Sequence, residues 1–494
     1  MGRKLDIVLV NPGDKKQVYQ DLSRDYSAIE PPFWVAVIAG YLRDKGFNVG
    51  IIDANEKNIT PDEAAQKVFE ADALLAAIIV YGSQPSASTQ NMTAAINIAR
   101  AIKKDTSVKL LIGGLHPSAL PERTLIETGA DYLIEGEGFY TLESLLAKLK
   151  AANDNYSDVL GLWYRKGSEI VNNARAPLIE DLDKTLPMAA WDLLPMDKYK
   201  AHNWHCFDNL NSRMPYAAIY TSFGCPYSCV FCCINSIFGQ PGIRYRKPEL
   251  VVEELGLLLK KYGVRNIKIA DELFVYNEKH YMSIVDLIIQ NGFDLNIWAY
   301  ARVDTIKPGN LSRMKKAGIN WLALGIESAS SVVRDGVSKR IKAEDIKETV
   351  RIIQDAGIRV MGNFIFGLPD DDLSTMQETL DLALELNCEF INFYSAMAYP
   401  GSKLYNIALA KGWELPKEWH GFSQHSFETL PLATKYISAR EVLAFRDEAF
   451  HRYFNSDNYL QMIEGKFGRE VKEHVINMTK TRLKRRIFSD YSGL

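Results

Sequence analysis

Short apolar runs alternate with stretches of helical spacing through the first 150 residues. Leu5-Asp-Ile-Val-Leu-Val10 runs straight into Asn11-Pro12-Gly13, the pattern of a buried parallel strand that ends in a loop. The same pattern predicts strands over 49–53, 74–81, 108–112 and 131–135, separated by helices over 34–45, 62–70, 89–104 and 141–150. Strand and helix in strict alternation predict a doubly wound parallel α/β domain over residues 1–150. Between 151 and 215 the periodicity fails: Pro177, Pro187 and Pro195 and a short hairpin around 161–171 predict a linker wrapped over the surface. Alternation resumes with strands near 217–222, 266–270, 295–300, 320–326, 359–366 and 389–397, helices filling the gaps. Six such units predict a partial (βα)6 barrel over 216–402, with its chemistry in the loops at the C-terminal strand ends. Residues 403–494 read as a helical C-terminal domain carrying Trp413 and Trp419. It closes on Lys480-Thr-Arg-Leu-Lys-Arg-Arg486, expected to be a solvated helix end with its cations on the dipole rather than a phosphate contact.

At 494 residues the chain is long enough for two or three domains with separate cores. A net charge of −3 with 24% charged residues gives no electrostatic case for nucleic acid or an anionic membrane. No run approaches the roughly 18 apolar residues of a spanning helix, and the N-terminus enters a strand without a secretory pattern. A soluble cytoplasmic protein with at most peripheral membrane contact is expected. Six cysteines, four of them between positions 225 and 233, fit a reducing compartment and a metal centre better than a disulfide framework.

Cys225, Cys229 and Cys232 stand in Thr221-Ser-Phe-Gly-Cys-Pro-Tyr-Ser-Cys-Val-Phe-Cys232, just past the first barrel strand. Three thiolates at this spacing saturate three irons of a 4Fe–4S cube and leave the fourth open to a chelating ligand. A tetrahedral zinc site would need a fourth ligand, and only Cys233 is near. Charged residues end several of the apolar strands: Asp271-Glu272, Arg302 and Glu327. Each is either a cap or a group facing the site.

The CxxxCxxC spacing with Phe231 before the last cysteine resembles the signature of the radical S-adenosylmethionine (SAM) enzymes. Gly325-Ile-Glu-Ser328, Met361-Gly-Asn-Phe-Ile-Phe-Gly-Leu-Pro369 and Tyr399-Pro-Gly-Ser402 resemble later strands of the same barrel, so the likeness covers about 215–402. It implies that SAM chelates the open iron and is cleaved by one electron to a 5′-deoxyadenosyl radical, the electron coming from an external donor such as flavodoxin or ferredoxin. It also implies a SAM site made by Phe231, Glu272 for the ammonium, Arg302 for the carboxylate, Glu327 for the ribose, and the strand at Phe364 and Phe366 beside the adenine.

In the first domain, Asn11-Pro12, Tyr81-Gly82-Ser83-Gln84, Gly113-Gly114-Leu-His116-Pro and Glu135-Gly136-Glu137-Gly all fall at C-terminal strand ends, where a doubly wound fold binds ligands. Tight βα turns are the plainer reading of the same glycines. Together with Glu30-Pro-Pro32 these segments resemble the cobalamin-binding domain of the B12-dependent radical SAM enzymes. The Asp-x-His-x-x-Gly motif that supplies a cobalt ligand in many B12 proteins is absent, and no histidine precedes His116, so the resemblance carries over no cobalt ligand. It places His116 near the corrin tail or in a proline-terminated turn. A methylthiotransferase would carry three more cysteines in this domain, where the first cysteine is Cys206.

The resemblance therefore implies a methyltransferase acting on an unactivated carbon or a phosphinate phosphorus of a small molecule or lipid precursor, with cobalamin as methyl carrier. A cyclase or ring-rearranging member that does not methylate is the alternative, and a corrinoid-binding sensor a more distant one. Substrate choice is expected at the barrel mouth, around His202, Trp204 and His205, and in the C-terminal helices.

Overall fold

The computed structural model describes residues 4–489 apart from positions 83, 340 and 342. Its first sheet is built from β1 (Leu5–Asn11), β2 (Val49–Asp53), β3 (Ala73–Val80), β4 (Lys109–Gly114) and β5 (Tyr132–Ile134). All five are parallel, in the spatial order β2-β1-β3-β4-β5. That is a doubly wound order, in which ligand space opens where the connections from the first strand switch sides. The strands are continuous apolar runs because both faces are covered: Ile7 and Leu9 face one core, Val8 and Val10 the other.

The hairpin expected inside a linker belongs instead to this sheet. β6 (Leu162–Lys166) and β7 (Glu169–Asn172) extend it antiparallel beyond β5, pairing Leu133 with Trp163. Asn173, at the end of the hairpin, donates from Nδ2 to the carbonyls of Tyr156 and Val159 and pins it.

The second sheet is a parallel six-stranded open barrel in sequential order: β8 (Tyr216–Ile219), β11 (Asn266–Ile269), β12 (Asn296–Ala301), β13 (Ile319–Glu327), β14 (Arg359–Phe366) and β15 (Phe390–Ser395). Its first strand is shorter than the apolar run predicts. The chain breaks after Ile219 and enters a separate antiparallel hairpin of β9 (Ser222–Cys225) and β10 (Gly242–Tyr245). The barrel stays open between β8 and β15. Glu30 enters from the first domain, its carboxylate 3.2 and 3.3 Å from Lys268 Nζ, and Trp204 packs edge-on to Trp298 and Trp321.

Helices Ala439–Phe454, Asp457–Phe467 and Arg469–Lys480 cover the β15 side. Tyr453 Oη donates to the Cys388 carbonyl and Tyr459 Oη to that of Glu389. The basic run is not the solvated helix end that its charge predicts. The helix stops at Lys480, and Arg485 is buried, bonding Asp447 and the Ser426 carbonyl. No described helix is long and apolar enough to cross a membrane.

A second buried ion pair, besides Glu30 with Lys268, locks the two sheets together. Glu137, after β5, accepts from Arg244 of β10 at 2.6 and 3.0 Å and from the Ile179 amide at 2.9 Å. Removing the carboxylate leaves Arg244 desolvated without its counter-charge. Glu137→Gln is expected to cost about 2 kcal/mol, read as a lower urea midpoint for the apo-protein.

Candidate active site

Gly224 places the first cysteine. It has φ +97°, and a Cβ there would stand 2.3 Å from the Gly242 carbonyl oxygen, so only glycine lets β9 and β10 approach and turn Cys225 outward. The turn ahead of it is held by Asp271. One carboxylate oxygen accepts the Thr221 amide at 2.6 Å, and the other accepts the hydroxyls of Thr221 and Ser222, each at 2.6 Å. Beyond Cys225 the loop is anchored by three backbone bonds: Cys232 to Cys229, Val230 to Val337 and Leu404 to Val230.

Cys225, Cys229 and Cys232 then line one cavity of about 310 Å³, with Phe231, Glu272, Arg302 and Glu327 on its other walls. Among the described residues no three His, Cys, Asp or Glu side chains converge on a single-ion site. Sulfurs spread around a cavity suit the corners of an iron–sulfur cube better than one tetrahedral ion. Burial pushes the Cys225 thiol up to about 11 and raises Cys229 and Cys232 as well. The unloaded thiols are therefore neutral at pH 7, and metal binding must displace their protons. Cys233 is 2% exposed, packs in the core and is pushed up to about 12 by burial. It behaves as a small apolar side chain.

The charged walls differ in how they are held. The Arg302 guanidinium is gripped by Asp304 through two 2.9 Å bonds and lies over the Tyr227 ring at 4.0 Å. Glu327 ends β13 at φ +68°, beside a break in register with β14, and is ion-paired to Lys339. A Cβ on Gly325 would meet the Lys339 ammonium at 2.5 Å, so the glycine makes room for that pair. Lys339 follows no motif, and nothing in the sequence marks it. Glu272 has no hydrogen-bond or ion-pair partner among the described residues, and burial pushes it up to about 8.

The strand expected beside the adenine does line the cavity, though not through its two phenylalanine rings. Side chains alternate along a strand, and on β14 it is Asn363 and Ile365 that line the cavity. Phe364 and Phe366 are fully buried on the opposite face against Phe393, at 5.7 and 5.0 Å between ring centroids.

In the first domain a second cavity opens over the C-terminal strand ends, lined by Asn11, Pro12, Trp34, Tyr81 and Gly82. Asn11 is oriented by Asp53, to which its Nδ2 donates at 2.8 Å. Gln84 lies on the cysteine cavity, and a cleft bordered by Gly82, Gln84 and Glu272 runs between the two. The space between the sheets can take a flat ligand beside the cysteines, and the open strand ends fit a corrin.

Other expected cobalamin contacts have partners within the fold. Gly114, at φ +135°, would put a Cβ 2.2 Å from the Val80 carbonyl oxygen, and a Cβ on Gly113 would touch Ile134. Glu135 accepts from Trp163 Nε1, the Gly136 amide donates to Ser118 Oγ, and Glu137 holds Arg244. His116 is fully buried, with Nδ1 3.1 Å from Thr89 Oγ1 and its ring edge-on to Trp419. It is a core residue in the short helix Leu115–Ala119, directly ahead of Pro117. Ser83 lies outside the described residues.

Comparison with known proteins agrees with this geometry. Residues 219–383 match the model of the radical SAM superfamily, and residues 21–146 match that of the B12 binding domain. An uncharacterized methyltransferase of Pyrococcus horikoshii is 30% identical over 421 residues, covering 85% of this chain and 86% of the relative. The chain belongs to the cobalamin-dependent radical SAM enzymes. An anaerobic magnesium-protoporphyrin IX monomethyl ester cyclase of Cereibacter sphaeroides is 25% identical over 460 residues, 91% of this chain and 70% of that one. Among solved structures, the radical SAM methyltransferase TsrM of Kitasatospora setae, with cobalamin and a 4Fe–4S cluster bound, superposes with a TM-score of 0.69 at 16% identity, covering 96% of this chain and 98% of that one. The family's cofactors are the 4Fe–4S cluster, SAM and cobalamin.

Two outcomes follow for this family member. Cys232→Ala is expected to lose the cluster, while Cys233→Ala retains about four irons per chain, measured by iron analysis and the reduced-cluster EPR signal. Glu272 carries a folded pKa of about 8 against the ordinary carboxylate value of 4.5. Its ionisation therefore disfavours folding, progressively more as pH rises from about 5 towards 8. Glu272→Gln should raise the Tm of the apo-protein relative to wild type, with a gap that widens over that window.

Proposed function

We propose that this enzyme transfers a methyl group from SAM to an unactivated carbon, or a phosphinate phosphorus, of a small molecule or lipid precursor. The observation that carries this reading is the connected space: a cleft bordered by Gly82 and Gln84 joins the cysteine cavity to the cavity over the first sheet. A substrate between them is within reach of both cofactor sites. The 30% identical relative named as a methyltransferase supports the same reading.

When bound, the cluster and SAM supply a hydrogen-abstracting radical and the corrin supplies the methyl group. The protein's part is to position and to exclude water. Cys225, Cys229 and Cys232 hold the cluster and leave one iron open. Glu272, the carboxyl without a hydrogen-bond or ion-pair partner among the described residues, receives the ammonium of SAM. Arg302, fixed by Asp304 and the face of Tyr227, receives its carboxylate. Glu327 and its partner Lys339 face the ribose side. Asn11, Pro12, Gly82 and Gln84 border the corrin.

The cyclase relative supports a second reading, in which a ring is formed without methylation. Anaerobic turnover with methyl-deuterated SAM, a reductant and a small-molecule extract of the native host separates the two. Methyl transfer gives S-adenosylhomocysteine, 5′-deoxyadenosine and a deuterated product. Deoxyadenosine without homocysteine product or deuterium incorporation would replace methylation by ring formation.

A further inference from the structure

Outside the cofactor sites a sizeable unexplained space lies under the C-terminal helices. A cavity of about 550 Å³ is bounded by helix Ala439–Phe454 and the segment 481–488, with Arg446, Arg452 and Arg482 on its wall. It shares Leu22, His425, Arg446 and Phe450 with the lumen of the barrel. The lumen is lined by Trp298, Tyr300 and Phe393, and in turn shares Tyr300, Tyr394 and Gln424 with the cysteine cavity. A continuous series of spaces thus runs from the C-terminal surface to the cluster, cationic at its outer end and aromatic within.

The cations are not consumed by the fold. Asp447 is bonded by both Arg446, at 2.9 Å, and Arg485, at 2.8 and 2.9 Å, so one carboxylate faces two guanidinium groups. Arg446 is 6% exposed; its Nε donates to the Phe393 carbonyl and one terminal nitrogen to Asp447, while Nη2 has no bond among the described residues. His425 lies at the junction of the two spaces, its Nδ1 buried without a partner. Arg482 makes no hydrogen bond or ion pair among the described residues. Glu448 is the only other carboxylate on the wall among the described residues. A guanidinium nitrogen without an acceptor among the described residues and a buried ring nitrogen without a partner, in a space where Arg446, Arg452 and Arg482 face Asp447 and Glu448, are groups that an anionic ligand would satisfy.

We propose that this vestibule binds the anionic group of the substrate, a carboxylate or a phosphate, while its apolar body passes His425 and Phe450 into the aromatic lumen. The proposal deepens the functional reading above and rests on it, because the lumen leads to a radical only if the cysteine cavity holds the cluster and SAM. It narrows the substrate class to amphiphilic anions. It also gives the closing basic run a purpose: Arg485 fixes Asp447 and Arg482 rims the entrance.

The test is equilibrium dialysis of the full chain, reconstituted anaerobically with iron, sulfide and cobalamin, against 2-naphthoate, 2-naphthyl phosphate and neutral 2-naphthylmethanol. The better anion is expected to bind about tenfold tighter than the alcohol, as a partly buried charge contact provides, with the preference falling as salt rises. Which anion binds better decides between carboxylate and phosphate. Arg482→Gln should weaken the anions about threefold with the alcohol unchanged, and Arg446→Met should erase the preference. Should Arg446→Met not fold, Arg482→Gln decides alone. Equal affinity for all three probes, or an anion preference that survives intact in Arg482→Gln, overturns the proposal. Iron and cobalamin contents of the same preparations report separately on the cofactor reading, so its failure is distinct from the vestibule's.

Discussion

The site depends first on one buried carboxylate. Asp271 accepts three short hydrogen bonds from Thr221 and Ser222, where the first barrel strand gives way to the cysteine hairpin. Burial raises its carboxyl, and the donors from Thr221 and Ser222 oppose that shift. A carboxylate inside a protein is tolerated only with such a complete set of partners. The bonds fix the hairpin to the end of β11, and the next residue in the chain is Glu272. One dipeptide thereby sets both the approach of the cysteine loop and the acidic wall opposite it.

The second constraint is that the site is made between sheets rather than within one. Arg244, on the hairpin that carries Cys225, is bound to Glu137 of the first domain, so the cysteine loop is referenced to both sheets. Glu30 reaches into the open side of the barrel and meets Lys268, which is nearly fully buried and lies 4.9 Å from the centroid of Trp298. These contacts hold the open strand ends of the first sheet against the cysteine cavity. Relative motion of the two sheets would change the gap that a corrin and a substrate must share, so rigidity here bears directly on positioning.

Period and apolarity made most of this architecture legible before any coordinates. The six barrel strands fall within three residues of their expected ends because each is a buried run bounded by polar or glycine positions. Legibility failed where pattern carries no direction. Residues 217–225 stay largely apolar or small through the break at Tyr220 and Thr221, so the hairpin merged with the strand before it. β14 is covered on both faces, and hydropathy could not tell Asn363 and Ile365, on the cavity, from Phe364 and Phe366 behind them. Glu137 looked like a ligand-binding residue because its true partner, Arg244, is 107 positions away. Lys339 and Arg485 were invisible for the same reason: an ion pair leaves no local signature. The cysteine triad was legible because its information lies in spacing, which folding does not rearrange.

Charge pairing separates scaffold from site. The carboxylates that build the fold are matched: Glu137 with Arg244, Glu254 with Arg246 and Trp191, Asp304 with Arg302, Asp447 with two arginines. Glu272 has no such partner among the described residues, and desolvation raises its pKa against the opposing charge of Lys268. A fold selected for stability alone would have supplied a donor or removed the acid, since an apolar side chain of similar size costs less there. In the proposed reading the ammonium group of SAM supplies that counter-charge. The vestibule proposal runs with opposite sign, since Arg446, Arg452 and Arg482 there face two acids, Asp447 and Glu448. On the two proposals together, charge of one sign at the cysteine cavity and of the other at the entrance places a cationic cofactor inside and an anionic substrate group outside, with the aromatic lumen between them.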